Sequence, residues 1–192
     1  MKICIVRHGE TDWNAIGKLQ GREDIPLNEK GREQAKSCAT ALQNGNWQAV
    51  VTSTLSRAKQ TAEVIANTLN IAEIHEDFNL IERDYGKASG LTPEERNKRF
   101  PDGKYEGYEQ CEPLRDRVCG SLKKWAEEFY PNDIIIVSHG AAINAILAEI
   151  SDGSLGTGKT VLRNACMCLF TYENGKFAID YYDKTHDEVE VF

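Results

Sequence analysis

Apolar positions along the chain switch between two periods. Residues 2–7 (Lys-Ile-Cys-Ile-Val-Arg) and 133–138 (Asp-Ile-Ile-Ile-Val-Ser) are short, nearly continuous apolar runs rich in β-branched residues. That is the pattern of strands buried on both faces. Ala49-Val50-Val51-Thr52-Ser53 is a third such run, and 71–76 is a weaker one. Between the runs the spacing becomes helical. Stripes fall at Ala35, Cys38, Ala39 and Leu42; at Ala62, Ile65, Ala66 and Leu69; at Leu114, Val118, Leu122, Trp125 and Phe129; and at Ala142, Ile143, Ile146, Leu147 and Ile150. Each stripe predicts a helix with one buried face. Asn28 is placed to cap the first helix and Ser56 the second. Asn44-Gly45-Asn46 ends the first, and Pro131 stops the third. Segments 165–172 and 176–182 predict a hairpin across Glu173-Asn174-Gly175. Two stretches break the pattern: a polar loop at 9–27, and a long charged segment at 78–110 with a short helix near 93–100.

Strands and helices alternating in this way predict an α/β fold, three layers (α/β/α) with a mostly parallel central sheet. No linker, repeat or low-complexity segment interrupts the 192 residues, so one domain over 1–192 is expected, with a substrate-specificity insertion at about 83–110. The 23 Lys and Arg against 30 Asp and Glu give a net charge of -7. That balance argues against a general nucleic-acid or anionic-membrane partner. No apolar stretch approaches the ~20 residues that span a bilayer. The opening Met-Lys-Ile-Cys-Ile-Val reads as a strand rather than a secretion signal, so a cytoplasmic protein is expected. The six cysteines then read as free thiols. Cys166-x-Cys168 has no second half in the sequence, which favours a packing role over a metal site.

Two of the strands end alike. Residues 4–9 read Cys-Ile-Val-Arg-His-Gly, and 135–140 read Ile-Ile-Val-Ser-His-Gly. Ligands of open α/β sheets bind at the carboxyl ends of strands. His8 and His139, two of only four histidines, are therefore expected to meet at one sheet edge. His75 and His186 lack such a setting and read as surface or loop residues. Arg7 precedes the first of these histidines, and Arg57 falls in the first turn after the 49–53 strand. A guanidinium fork matches phosphate oxygens, so the four together predict a phosphate site. Residues 153–160 (Gly-Ser-Leu-Gly-Thr-Gly-Lys-Thr) match the nucleotide P-loop pattern letter for letter. A P-loop must link a buried strand to a helix. Here a helical pattern precedes it and a β-rich stretch follows, so a surface loop is expected instead.

Arg7-His8-Gly9-Glu10-Thr11 with Trp13-Asn14, then Leu19-Gln20-Gly21, Asp24-Ile25-Pro26-Leu27, Gly31, Gln34-Ala35, Ser53, Arg57-Ala58, Thr61-Ala62, Glu82 and Ser138-His139-Gly140 follow one another in order. On these residues the chain resembles the histidine phosphatase superfamily, the phosphoglycerate-mutase-like enzymes, over essentially its whole length. The resemblance implies a phosphohistidine on His8, formed through Nε2. It implies His139 beside the phosphoryl group, Arg7 and Arg57 gripping it, and Glu82 as the proton donor and acceptor. Position alone would not separate Glu82 from Asp84. Such an acid needs its pKa raised by a partly dry pocket or a neighbouring phosphate. Gly9, Glu10, Thr11, Asp12, Trp13, Asn14, Gln20, Gly21, Arg83, Tyr85, Gly140 and Ala141 complete the expected substrate-binding set, with Glu10 the one that also reads as a structural carboxylate. No metal is expected. A small phosphorylated metabolite is the expected partner, and the oligomeric state is left open. Hydrolysis by a small phosphatase-type member is the expected reaction. The alternative is a cofactor-dependent phosphoglycerate mutase, for which a bisphosphoglycerate primer would be needed. Glu82-Arg83-x-Tyr85-Gly86 is mutase-like, and Arg96, Lys98, Arg99, Lys104, Tyr105 and Tyr108 could hold a substrate carboxylate. More distant alternatives are a silent phospho-ligand-binding module and a P-loop NTPase.

Overall fold

A computed structural model describes residues 1–183. His186 and the rest of 184–192 lie outside the described residues. Six strands form one sheet in the order β3-β2-β4-β1-β5-β6. They are β1 (Lys2–Arg7), β2 (Trp47–Thr52), β3 (Ile74–Glu76), β4 (Asp133–Ser138), β5 (Met167–Glu173) and β6 (Lys176–Tyr182). The first four are parallel, and β5 and β6 add an antiparallel edge. The hairpin turns on Asn174 and Gly175, both at positive φ (51° and 76°), the two-residue turn that follows the strand twist.

Alternation in β1, β2 and β4 sends successive side chains to opposite faces, and each face meets its own helices. Cys4, Val6, Val50, Ile135 and Val137 pack on α2 (Glu29–Ala41) and α3 (Ser56–Leu69). Ile3, Ile5, Val51, Ile134 and Ile136 pack on α5 (Cys111–Phe129) and α6 (Gly140–Ile150). The expected three layers follow directly. Two short helices, α1 (Asp12–Ala15) and α4 (Pro93–Arg99), stand outside them.

Three local expectations are corrected. Ser56 is the first residue of α3 and not its cap; Leu55 holds that position with no side-chain bond. Asp24 supplies the missing acceptor, taking the Ser56 amide and hydroxyl at 2.7 Å each. A distant carboxylate thus steadies the turn that carries Arg57. The 71–76 run yields only β3, because Asn70 turns left-handed (φ 56°) and the Ile71 amide folds back onto Ala66 O. His75, on that edge strand, is no free surface residue: its ring lies 5.0 Å from Trp125 and 5.5 Å from Phe129.

The loop after β1 is pressed onto the start of α2. An ideal Cβ on Gly31 would stand 2.1 Å from Glu10 O, and one on Gly9 would stand 2.3 Å from Gly31 O. Only two glycines permit that approach. It fixes the backbone on which His8 sits.

Candidate active site

β1 and β4 run side by side in parallel, with Arg7 opposite Ser138. Each strand continues by one residue into a histidine. The His8 amide donates to Ser138 O at 3.0 Å, and the two imidazole centroids are 5.1 Å apart. The 131 positions between them are closed by one ladder. His8 Nδ1 lies 2.7 Å from Gly9 O. A carbonyl can only accept, so Nδ1 carries the proton and Nε2 carries the lone pair. Asn164 braces this corner, donating to His8 O and Gly9 O at 3.2 and 3.3 Å and to Asn14 Oδ1 at 3.2 Å. It was missed in the sequence because a coil asparagine has no periodic signature.

Arg57 points back from the first turn of α3 and is 1% exposed. Its Nε donates to His8 Nε2 at 3.2 Å, Nη1 to Glu23 O at 2.7 Å and Nη2 to Gly21 O at 2.8 Å. Burial lowers its pKa from 12.5 to about 10, so it remains a cation at neutral pH. Arg7 Nη1 donates to Leu162 O at 2.5 Å, while its Nε is buried with no protein partner. His139 accepts or donates through Nε2 to Ser53 Oγ at 2.7 Å, and its Nδ1 is likewise buried and unpartnered. Buried donors are nearly always satisfied. Arg7 Nε and His139 Nδ1 are thus buried nitrogens near His8 that the protein leaves unspent, as it does the Gln20 and Asn144 side-chain oxygens of the cavity wall.

Glu82 opposes them across Gly140. A Cβ there would stand 3.5 Å from Arg7 Nε and 3.8 Å from Glu82 Oε2. The carboxylate accepts from the amides of Arg83 (2.9 Å), Ala141 and Ala142 (3.1 Å each). It therefore rests on the N-terminus of α6, where the dipole favours negative charge. Its neighbour Asp84 turns to Gly86 N and to Arg22, which separates the two acids that position alone could not.

These groups border a cavity of about 330 Å³. Of the residues singled out in the sequence, Arg7, His8, Asn14, Gln20, Gly21, Arg57, Glu82, Tyr85, Gly140 and Ala141 line it, although the Ala141 amide is spent on Glu82. Asn14 commits its Oδ1 to Thr11 and Asn164 and leaves its NH2 group to the cavity. Other expected residues lie elsewhere. His139 stands just behind His8, fully buried. Gly9 gives its amide to Thr61 Oγ1. Glu10 turns out to Lys30 (2.8 Å) and Asn28 (3.1 Å), because the Gly9–Gly31 contact directs its side chain along α2. Thr11 is spent capping α1, and Asp12 is exposed in that helix's first turn. Trp13 packs toward Gly90 and under Lys18. Arg83 swings away to Tyr108 and Cys111, with its guanidinium 5.0 Å from the Tyr108 ring. The insertion at 83–110 accordingly reaches the cavity only through Tyr85. The segment spelled like a P-loop reaches it instead. Thr157, Thr160, Val161 and Leu162 form one wall, and no helix follows them. The loop between α6 and β5 is thus the surface loop expected in place of a P-loop, and it borders the cavity besides. Lys18, Leu19 and Asn144 are further lining residues that motif spacing did not reveal.

Burial, then the cations Arg57 and Arg7, holds His8 well below the usual 6.5; burial, then Arg57 and His8, does the same for His139. Both imidazoles are neutral at physiological pH. The unfolded chain binds protons near pH 6.5, where the folded one does not, so stability is full above that pH and falls as pH drops below it. Each imidazole contributes at most about 1.4 kcal/mol per pH unit across that window. Urea unfolding at pH 7.5 and 5.5 should show this loss, with a shallower dependence in His8→Gln. An unchanged dependence would mean that His8 is not the buried titrating group.

Fold and site together define a three-layer α/β protein with two arginines and two histidines gathered at the carboxyl edge of its sheet. The profile of the histidine phosphatase superfamily (branch 1) matches residues 3–185. Among curated relatives, an "Uncharacterized phosphatase PhoE" of Bacillus subtilis (strain 168) is 46% identical over 187 residues, covering 96% of this chain and 95% of that one. A "Probable phosphoglycerate mutase GpmB" of Salmonella typhi is 34% identical over 161 residues, 78% and 74% of the two chains. Among solved structures, phosphoserine phosphatase from Entamoeba histolytica in complex with 3-phosphoglyceric acid superposes with a TM-score of 0.82 at 28% identity, covering 96% and 97%. The chain belongs to the histidine phosphatase superfamily, and its relatives are phosphatases and phosphoglycerate-mutase-like enzymes.

Proposed function

We propose that the protein is a metal-independent phosphomonoester phosphatase that works through a phosphohistidine on His8. The observation that carries the reading is the Nε2 lone pair of His8, held by the Nδ1–Gly9 bond and set against Arg57, with the unpaired Arg7 Nε and the His139 ring close by. A phosphoryl group brings three charged oxygens to this point, and positive donors in a confined site stabilise the transition state. Arg57 Nε, now on His8 Nε2, transfers its hydrogen bond to a phosphoryl oxygen as the substrate enters. Nε2 attacks phosphorus in line, and the ester P–O bond breaks. Glu82 is the group placed to pass a proton to the departing oxygen. Glu82 then takes a proton from water, whose oxygen attacks phosphorus. The N–P bond breaks, inorganic phosphate leaves, and His8 returns to its neutral form. Nothing in this cycle calls for a cation beyond the guanidiniums, and no cofactor is proposed.

Water is favoured over a second hydroxyl as acceptor by the cavity wall. None of Arg96, Lys98, Arg99, Lys104, Tyr105 or Tyr108 lines it. Lys87 instead pairs with Glu106, and Tyr85 packs on Tyr108, so the 83–110 segment binds to itself. Purified protein in EDTA should release phosphate from p-nitrophenyl phosphate and from members of a phosphomonoester panel. Interconversion of 2- and 3-phosphoglycerate outpacing phosphate release would replace this reading with the mutase. Turnover that EDTA abolishes would end it.

A further inference from the structure

Besides the groups assigned to the phosphate, the cavity lining includes Leu19, Tyr85, Asn144, Val161 and one further charged side chain, Lys18. Five other lysines of the chain (Lys2, Lys30, Lys36, Lys59 and Lys87) sit 2.6–2.9 Å from a carboxylate. Lys18, like several exposed lysines, has neither an ion pair nor a hydrogen-bond acceptor for its ammonium among the described residues, but it alone of these borders the cavity, and it stands 5.5 Å from the centre of the Trp13 ring. Glu95, the acid that feels its charge, spends its carboxylate on the Thr92 amide at 2.8 Å. The Lys18 backbone is nonetheless fixed. Its amide donates to Trp13 O at 2.9 Å, Gly17 turns at φ 70°, and the Leu19 amide is held by Leu91 O. Half-buried cations normally find a partner.

Charge balance points the same way. Arg7 and Arg57 match the two charges of a phosphate dianion, and both histidines are neutral. Glu82 is the only carboxylate among the lining residues, and it rests on the α6 amides. Lys18 is left as the one lining cation without a carboxylate or phosphate partner, offset only by the Trp13 ring.

We propose that Lys18 selects phosphomonoesters whose alcohol portion carries an anionic group of its own, a carboxylate or a second phosphate, with the apolar Leu19 and Val161 against the intervening carbons; this rests on the phosphatase reading of the same cavity. The test compares wild type, Lys18→Met and Lys18→Arg on O-phosphoserine and 3-phosphoglycerate (carboxylate arm), on a sugar bisphosphate (second-phosphate arm) and on p-nitrophenyl phosphate (neutral arm). Losing one charged hydrogen bond should cut kcat/KM of Lys18→Met by about 10–50-fold in one anionic arm, carried mainly by KM. The neutral arm should stay within about threefold, and Lys18→Arg should recover most of the loss. The arm that falls identifies the anion. A uniform fall in all arms, or none, overturns the proposal. Absence of wild-type turnover would sink the phosphatase reading alone. Calorimetric binding of the same compounds to His8→Ala, with and without Lys18→Met, still reads the selectivity without catalysis.

Discussion

His8→Ala should abolish turnover, lowering kcat by about 10⁵-fold or more, because removing a covalent nucleophile leaves only binding and charge stabilisation. The side chain is 2% exposed yet lines the cavity, so its loss removes the reacting atom without opening the core. The decisive measurement is the intermediate. Wild-type protein quenched during turnover of a ³²P-labelled ester should carry label that is stable in base and lost in acid, as an N-phosphate is. His8→Ala should carry none. Label retained in His8→Ala would move the nucleophile elsewhere. His139 is poorly placed to replace it: its Nε2 is tied to Ser53, and it lies behind the first ring.

Arg57→Ala should be nearly as severe, and it should damage two properties at once. The guanidinium serves three acceptors, the buried Gly21 O and His8 Nε2 and the part-buried Glu23 O. Truncation leaves both carbonyls without their donor, at about 1–3 kcal/mol each, partly offset where water can enter. It also takes one fixed cation from the transition state, worth about 10²–10³ in kcat. Arg57→Lys keeps the charge, but a single ammonium cannot reach all three acceptors, so it should recover stability poorly and activity only in part. Urea denaturation and kcat on p-nitrophenyl phosphate measure the two effects. A fully active, fully stable Arg57→Lys would show that Arg57 acts as charge alone, and the fork geometry would carry no weight.

The sequence revealed some of this far better than the rest. Buried parallel strands announce themselves, because both faces must be apolar; 133–138 and 2–7 could be read to the residue. Asn28 was legible as a cap since its side chain serves its own helix. Ser56 misled because the acceptor for its helix comes from Asp24, 32 positions earlier, and local rules see only local partners. Glu10 and Arg83 sit inside the motif yet face away from the cavity. The partners that draw these side chains away, Lys30 and Asn28 for Glu10 and Tyr108 for Arg83, lie 18 or more positions further along the chain. Thr157 to Leu162 arrive at the cavity by tertiary packing alone: Gly156 presses against Ala148 and Asn144 of α6, where a Cβ would come within 2.8 Å. A literal motif pattern pointed those residues to the wrong chemistry.

The single rung that joins Arg7 to Ser138 decides how this chain can vary in length. Adding or deleting one residue inside β1 or β4 would turn one imidazole to the far face of the sheet and leave a neighbour in its place. Lengthening any connection between those two strands leaves the rung intact. Insertions should therefore be harmless to the paired histidines throughout the outlying turns and ruinous within a dozen central positions, a contrast that a library of scanned insertions would display directly.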